Sequence, residues 1–106
     1  PPNHPNLAHL LTSLARNETS LGQYQEAMVR LNQTREIQVV THEENSWQVG
    51  RVELQIGKTL LASGQTLAAK TQLSEALEKL SLHEDPNYRD LISAKELLAE
   101  LETSQQ

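Results

Sequence analysis

The stretch that decides the fold is residues 21–31, LGQYQEAMVRL, in which Gly22 is followed by Tyr24 and then by Ala27. Further along the chain, residues 63–73, SGQTLAAKTQL, carry a glycine, an alanine and a leucine at the same places. One copy could be a single turn between two helices. Two copies at a fixed spacing predict an internal repeat, in which each copy is one helix–turn–helix unit.

Composition sets limits on the class of protein. The chain has 106 residues, of which 37% are hydrophobic and 22% charged, as in an ordinary soluble globular domain. Its net charge of −5 gives no attraction to nucleic acid or to an anionic membrane surface. There is no cysteine, and no apolar run approaches the roughly 20 residues that span a bilayer. We expect a cytoplasmic protein and, because the sequence opens without methionine, a fragment of a longer one.

Apolar residues recur every three or four positions, which predicts five helices and no sheet. Gly22 and Gly64 should end the first and third helices, because glycine readily adopts a positive φ at a helix C-terminus. Asn6 is expected to cap the first helix, and Asp85 with Pro86 to begin the fifth. The residues ETSQQ at the end are expected to fray. The predicted helices span about residues 7–21, 24–40, 46–63, 67–82 and 87–101.

The shift that carries Gly22 onto Gly64 also places large apolar residues on large ones and small residues on small ones. Antiparallel helices about 8–10 Å apart need small side chains where their backbones come closest. We therefore predict an all-α fold of antiparallel helix–turn–helix repeats with these positions in its core. The aligned sets include Leu10 with Val52, Leu14 with Ile56, Ala15 with Gly57 and Ala99, Ala27 with Ala69, and Leu31 with Leu73.

This arrangement resembles the tetratricopeptide repeat (TPR), and its 42-residue spacing is most similar to the kinesin light chain-like type. The second copy is less regular, since Thr66 stands where Tyr24 does and Glu53 where Leu11 does. The first repeat carries the residues typical of that family's opening. They are His4, Pro5, Ala8, Leu11, Leu14, Ala15, Gly22, Tyr24, Glu26 and Ala27.

The resemblance implies one TPR-like domain over residues 1–106, built as a right-handed superhelix. Its parts would be a repeat over about residues 4–41, a second over about 45–83 and a closing helix over about 86–102. It also implies a function as a protein–protein interaction scaffold. The concave face, formed by the first helix of each pair, would hold a peptide or a partner segment.

The predicted partner-binding residues lie on helices one, three and five, off the apolar stripe. This face begins basic and polar, gains two exposed leucines and ends acidic. The paired asparagines of kinesin light chain-type repeats are missing, because Thr12, Ser13, Leu54 and Gln55 occupy their positions. The carboxylate clamp of chaperone-binding TPR domains is missing as well, because its positions hold Thr12, Arg16, Gln55, Ser93 and Leu97. The predicted set is His9, Thr12, Arg16, Arg51, Leu54, Gln55, Lys58, Leu61, Glu96 and Glu100.

Two interpretations stay open for each feature of that face. Arg16, Arg51 and Lys58 either hold a ligand carboxylate or form a solvated helix face, as charged residues commonly do. Leu54 and Leu61 either form an exposed apolar contact patch or are buried because helix three has neighbours on both sides.

Catalysis has little support in the sequence. The histidines His4, His9, His42 and His83 are scattered without the spacing of metal ligands, and there is no phosphate-binding glycine loop. We predict no enzyme activity, no metal and no cofactor, and partners that are proteins rather than nucleic acid or membrane. In the alternative function, the chain is a structural or oligomerisation segment of a larger signalling or regulatory protein. It could then form a homodimer. Its groove would then be filled by its own chain or by a second copy.

Overall fold

The computed structural model describes residues 5–82 and 88–104. All regular secondary structure in these two ranges is helical, so the predicted all-α class is confirmed there. The five helices are α1 (Pro5–Ser20), α2 (Tyr24–His42), α3 (Trp47–Ala62), α4 (Thr66–Ser81) and α5 (Tyr88–Ser104).

Two predicted helix ends are wrong. Helix α1 begins at Pro5, so Asn6 lies inside its first turn and is not its cap. Proline suits this position because it has no N–H and its fixed φ is already helical. Helix α5 continues to Ser104, beyond the predicted end at Leu101. The expected start at Asp85 and Pro86 lies outside the described residues.

The turns that follow α1 and α3 have the same geometry. Gly22 has a φ of +79° and Gly64 a φ of +83°. The residue after each glycine donates its backbone N–H to the carbonyl five positions before it, at 2.8 Å in the first turn and 2.9 Å in the second. The helix-ending role predicted for both glycines is confirmed, and the two turns match in their backbone geometry.

The connection between α2 and α3 is different and uses side chains. Ser46 caps α3, since its Oγ accepts the backbone N–H of Val49 at 3.2 Å and donates to the carbonyl of Glu43 at 2.9 Å. Glu43 has a φ of +85°, which side-chain-bearing residues rarely adopt. A serine cap and a tightly turned glutamate therefore set the angle at which the second hairpin follows the first.

Helix α3 lies at the centre of the fold. Each helix packs against the next one along the chain, and α3 also contacts α1 and α5. Because short turns join consecutive helices, neighbours run antiparallel. The described part of the chain measures 47 × 33 × 18 Å, so it is a slab rather than a sphere.

The described residues form two apolar core clusters, and α3 contributes to both. The first joins α1, α2 and α3 with the start of α4, and the second joins α3, α4 and α5. The buried members of the first are Ala15, Ala27, Leu31, Val52, Ile56, Leu60 and Ala69. The buried members of the second are Leu54, Leu73, Ala76, Leu80 and Ala94.

The small residues predicted at helix crossings have different outcomes. Ala15, Ala27 and Ala69 are fully buried. A Cβ on Gly57 would lie 2.6 Å from Cδ2 of Leu73, so α3 and α4 approach closely there. Ala99 is exposed, and the prediction of a helix crossing at this residue is wrong. The reason is that α5 contacts only α3 and α4 among the described helices.

Two leucines that the repeat assigned to the core are on the surface. Leu10 is 55% exposed and Leu14 is 39% exposed, whereas their counterparts Val52 and Ile56 are both 3% exposed. The α1–α2 hairpin covers Val52 and Ile56, but no described helix lies on the matching side of α1. In α1 the smaller residues Ala8 and Ala15 are buried instead.

Candidate functional site

A cleft of about 200 Å³ lies between α1 and α3, and it is called the α1–α3 groove below. Helix α2 contributes one residue to its wall and α5 another. The lining residues are Ala8, His9, Thr12, Ser13, Arg16, Gln38, Trp47, Gln48, Arg51, Val52, Leu54, Gln55, Lys58 and Asp90.

The structure brings together most of the residues predicted to bind a partner. Glu96 and Glu100 are exposed on α5 but do not line the groove, and Leu61 instead packs against both core clusters. Asp90 is the acidic residue that does line it. The predicted residues that lie in the groove are His9, Thr12, Arg16, Arg51, Leu54, Gln55 and Lys58.

The predicted exposed apolar patch is wrong. Leu54 is only 3% exposed because it packs in the second cluster with Ala94 of α5. Leu61 is half-buried. Helix α3 thus has neighbours on both sides, the second of the two interpretations left open by the sequence. A face of α3 that looks free in the sequence is covered by α5, the last helix of the chain.

The groove is rich in positive charge. Arg16 is exposed and Lys58 half-exposed, and neither has a carboxylate partner among residues 5–82 and 88–104. Nε of Arg51 lies 3.0 Å from Oδ2 of Asp90. The guanidinium of Arg51 also lies 5.9 Å from the centre of the Trp47 ring, a cation–π distance. One wall therefore carries a paired and stacked arginine, while the two other cations face solvent.

Hydroxyl groups fix the spacing of α1 and α3 near the groove. Oγ1 of Thr19 donates to the carbonyl of Ala15 at 2.8 Å and lies 2.9 Å from Oγ1 of Thr59. A hydroxyl has a single proton, so Thr59 is the donor in the second bond. Oγ1 of Thr12 donates its hydrogen bond to the carbonyl of Ala8 at 2.9 Å. Its hydroxyl is therefore available to a ligand only as an acceptor.

A buried charge cluster lies between α2, α3 and α4, and sequence reasoning missed it. Glu53 is fully buried, with Nζ of Lys79 at 2.9 Å from its Oε2 and Nη2 of Arg35 at 3.1 Å from the same oxygen. Glu44, in the α2–α3 connection, accepts from Lys79 at 3.1 Å and also from Arg35. Two carboxylates balance two cations, so the cluster is neutral.

The electrostatics of this cluster favour the charged forms. The hydrogen bond from Lys79, followed by that from Arg35, lowers the pKa of Glu44 below its ordinary value. For Arg35, burial lowers the pKa, but the hydrogen bonds and charges of Glu53 and Glu44 outweigh burial and raise it. The sequence did hold a signal. Glu53 stands at the position that Leu11 takes in the first copy, and a charge at an apolar position requires a partner.

No group of three or more histidines, cysteines or carboxylates is placed to hold a metal ion in the described part of the chain. Over the same residues, no helix is both long and apolar enough to cross a bilayer. The chain matches no family model, no curated protein and no solved structure.

Proposed function

We propose that this chain is a protein-binding module of the tetratricopeptide type. In this proposal the α1–α3 groove binds an acidic segment of a partner protein without changing it chemically. The observation that carries it is the charge of the groove. Arg16, Arg51 and Lys58 line it together with His9, against the single carboxylate of Asp90. These cations are concentrated there although the whole chain has a net charge of −5.

The repeat interpretation is supported by matching positions in the two hairpins. Ala27 and its counterpart Ala69 are both fully buried, and so are Leu31 and its counterpart Leu73. The glycine turns after α1 and α3 share their φ values and hydrogen bonds. Side-by-side first helices of successive repeats would leave an open groove along their exposed face, and such a groove suits an extended segment.

The groove differs from the face that the sequence predicted, which ran from basic and polar residues through two exposed leucines to an acidic end. Leu54 is buried and neither Glu96 nor Glu100 lines the groove. What remains is a polar, positive surface with amide groups from Gln48 and Gln55. Electrostatic complementarity then favours carboxylate-rich segments, with backbone hydrogen bonds to the amides.

Intrinsic fluorescence provides a direct test because Trp47 is the one tryptophan of the chain and lines the groove. Titration with an Asp/Glu-rich peptide lacking tryptophan should change its emission, and a Lys-rich peptide of equal length should not. The double variant Arg16→Gln with Lys58→Gln should weaken binding about tenfold, since each exposed ion pair contributes up to about 1 kcal/mol. Added salt should weaken binding to the parent chain more than to this variant.

The matched control makes the same charge change outside the groove. Arg89 and Lys95 are exposed on α5 and do not line the cleft, so Arg89→Gln with Lys95→Gln should leave the affinity unchanged. Equal loss in both double variants would mean general charge attraction and would contradict the proposal. Binding of a DNA oligonucleotide in preference to the acidic peptide would contradict it too. If neither peptide changes the Trp47 emission, the result favours the alternative in which the chain is a structural segment.

A further inference from the structure

One face of α1 carries leucines at a spacing that nothing in the described fold uses. Leu7, Leu10, Leu14 and Asn17 of α1, and Leu21 directly after its last residue, follow one another at alternating steps of three and four. Leu10 and Leu14 are exposed to the extents given above, and Leu21 is 64% exposed. These five residues are called the α1 seam. Helix α1 contacts only α2 and α3 among the described helices, and the seam leucines belong to neither core cluster.

The equivalent faces of the other first helices are covered. In α3, the repeat places Val52, Ile56 and Thr59 at seam positions, and all three are buried. In α5, the seam positions hold Ala94, which is fully buried, and Leu91, Leu98 and Leu101, which pack against the second cluster. The seam positions of α3 and of α5 are thus each covered by a neighbouring helix. Of α1, α3 and α5, only α1 has these positions uncovered in the described residues.

We propose that the α1 seam pairs with the α1 seam of a second copy of this chain, forming a parallel, two-fold symmetric dimer. Alternating steps of three and four are the spacing of the contact residues in a two-stranded coiled coil. Asn17 takes a d position of this pattern. Two asparagines that face each other can hydrogen-bond across the axis, whereas an asparagine buried against leucine would be left without a partner. In a parallel dimer Asn17 faces Asn17 of the other copy, whereas an antiparallel one centred on Leu14 would place it against Leu10.

Charge also favours a second copy as the occupant. The seam has no charged residue, and the exposed Ser13 and Ser20 beside it are uncharged as well. Glu18, the nearest carboxylate along the helix, is buried and neutralised by Arg30, whose Nε lies 2.8 Å from it. Two chains of net charge −5 can therefore meet at this face without bringing like charges together.

The contact is small, so the dimer is expected to be weak. The helical part of the seam runs over residues 7–17, which is roughly 16 Å of helix. Such an area lies below that of a standard stable interface, which points to a dissociation constant on the order of 10–100 µM. Packing against α2 and α3 already holds α1 in its helical form. Dimerisation therefore requires no further folding of that helix.

Sedimentation velocity over about 1–500 µM should show a reversible monomer–dimer equilibrium that added salt does not weaken. Leu10→Glu with Leu14→Glu should make the chain monomeric throughout, with an unchanged helical CD spectrum. The matched control is Leu67→Glu with Leu82→Glu. These leucines are 77% and 61% exposed on other parts of the surface, and this variant should still dimerise.

Register is tested by single cysteines, since the chain has none of its own. In a parallel pair, Asn17→Cys should form a disulfide-linked dimer under mild oxidation, and Ser74→Cys on the exposed side of α4 should not. A parent chain that stays monomeric would overturn the proposal. So would loss of dimer in the Leu67 and Leu82 control, or cross-linking of Leu14→Cys without Asn17→Cys. None of these results depends on peptide binding in the groove.

Discussion

At the scale of single residues, Glu53 and Lys79 take the repeat positions that hold Leu11 and Ile37 in the first hairpin. Two positions that are apolar in the first hairpin are thus occupied by an ion pair in the second. Glu53→Leu or Lys79→Ile alone should cost about 3 kcal/mol, because each leaves a buried charge without its main partner. The double variant should cost about 1 kcal/mol or less, since no unpaired charge remains between the helices.

Urea unfolding followed by CD measures all three variants of this pair. Arg35 is 29% exposed and keeps Glu44, so it can remain solvated when Glu53 is replaced. Costs that simply add in the double variant would show that Glu53 and Lys79 do not act as a pair. The stability of the parent would then come from other contacts of these two side chains.

Glu44 gives the cluster a pH dependence. Its folded-state pKa lies below the ordinary value of 4.5, so its contribution is complete above that value and is lost as pH falls through the folded pKa. Glu44 is 53% exposed, and after solvent screening we expect no more than about 1 kcal/mol. Thermal midpoints of Glu44→Gln and the parent should therefore differ at pH 7, and the difference should become smaller as the pH falls below the ordinary pKa of the carboxyl group.

The control for this comparison is Glu75→Gln on the exposed face of α4. Its midpoint should lie close to that of the parent, because substitutions on an exposed helix face change stability by only about 0.5 kcal/mol or less. A gap for Glu44→Gln that persists unchanged in acid would show that the carboxylate charge is not what stabilises the α2–α3 connection.

At the scale of helices, the contact between α3 and α4 depends on the absence of a side chain. Gly57→Ala would place a methyl group 2.6 Å from Cδ2 and 2.7 Å from Cγ of Leu73. Alanine favours a helix by about 1 kcal/mol over glycine, but overpacking costs about 1–3 kcal/mol. We expect net destabilisation in thermal melts. Gly50→Ala is the comparison, because its nearest contact is 3.1 Å and its neighbours need to move less.

The order of these two glycine variants is the informative result. If Gly57→Ala is as stable as the parent, then α3 and α4 lie further apart than the structure has them. If both variants gain stability, helix propensity outweighs packing at this contact, and the glycines are not needed for close approach.

Helix faces show how far sequence reasoning extended. The repeat spacing predicted which helix faces pack, as Ala27 and Leu31 illustrate, because these positions of α2 face its neighbours α1 and α3. It could not predict that Leu54 is buried, because that depends on where α5 packs. It also placed Leu10 in the core, which is wrong. The spacing shows which positions can pack against a neighbouring helix, but it does not show whether that helix is present.

At the scale of the whole molecule, the two proposed surfaces use different sides of α1. The α1–α3 groove takes His9, Thr12 and Arg16, while the α1 seam takes Leu10 and Leu14. The groove residues could be named from sequence because they lie off the apolar stripe of each first helix. The charge cluster could not, because pairing of Glu53 with Arg35 and Lys79 joins three helices whose distances the sequence does not contain.

The order of packing along the stack has a consequence for the rate of folding. Every described helix contacts the next one or the next but one, and α1 and α5 do not contact each other. Forming the native contacts therefore never requires closure of a long loop, and the entropy lost before the first favourable contact is small. Folding can start at either hairpin and spread through α3, on the millisecond scale or faster that is typical of helical proteins with low contact order.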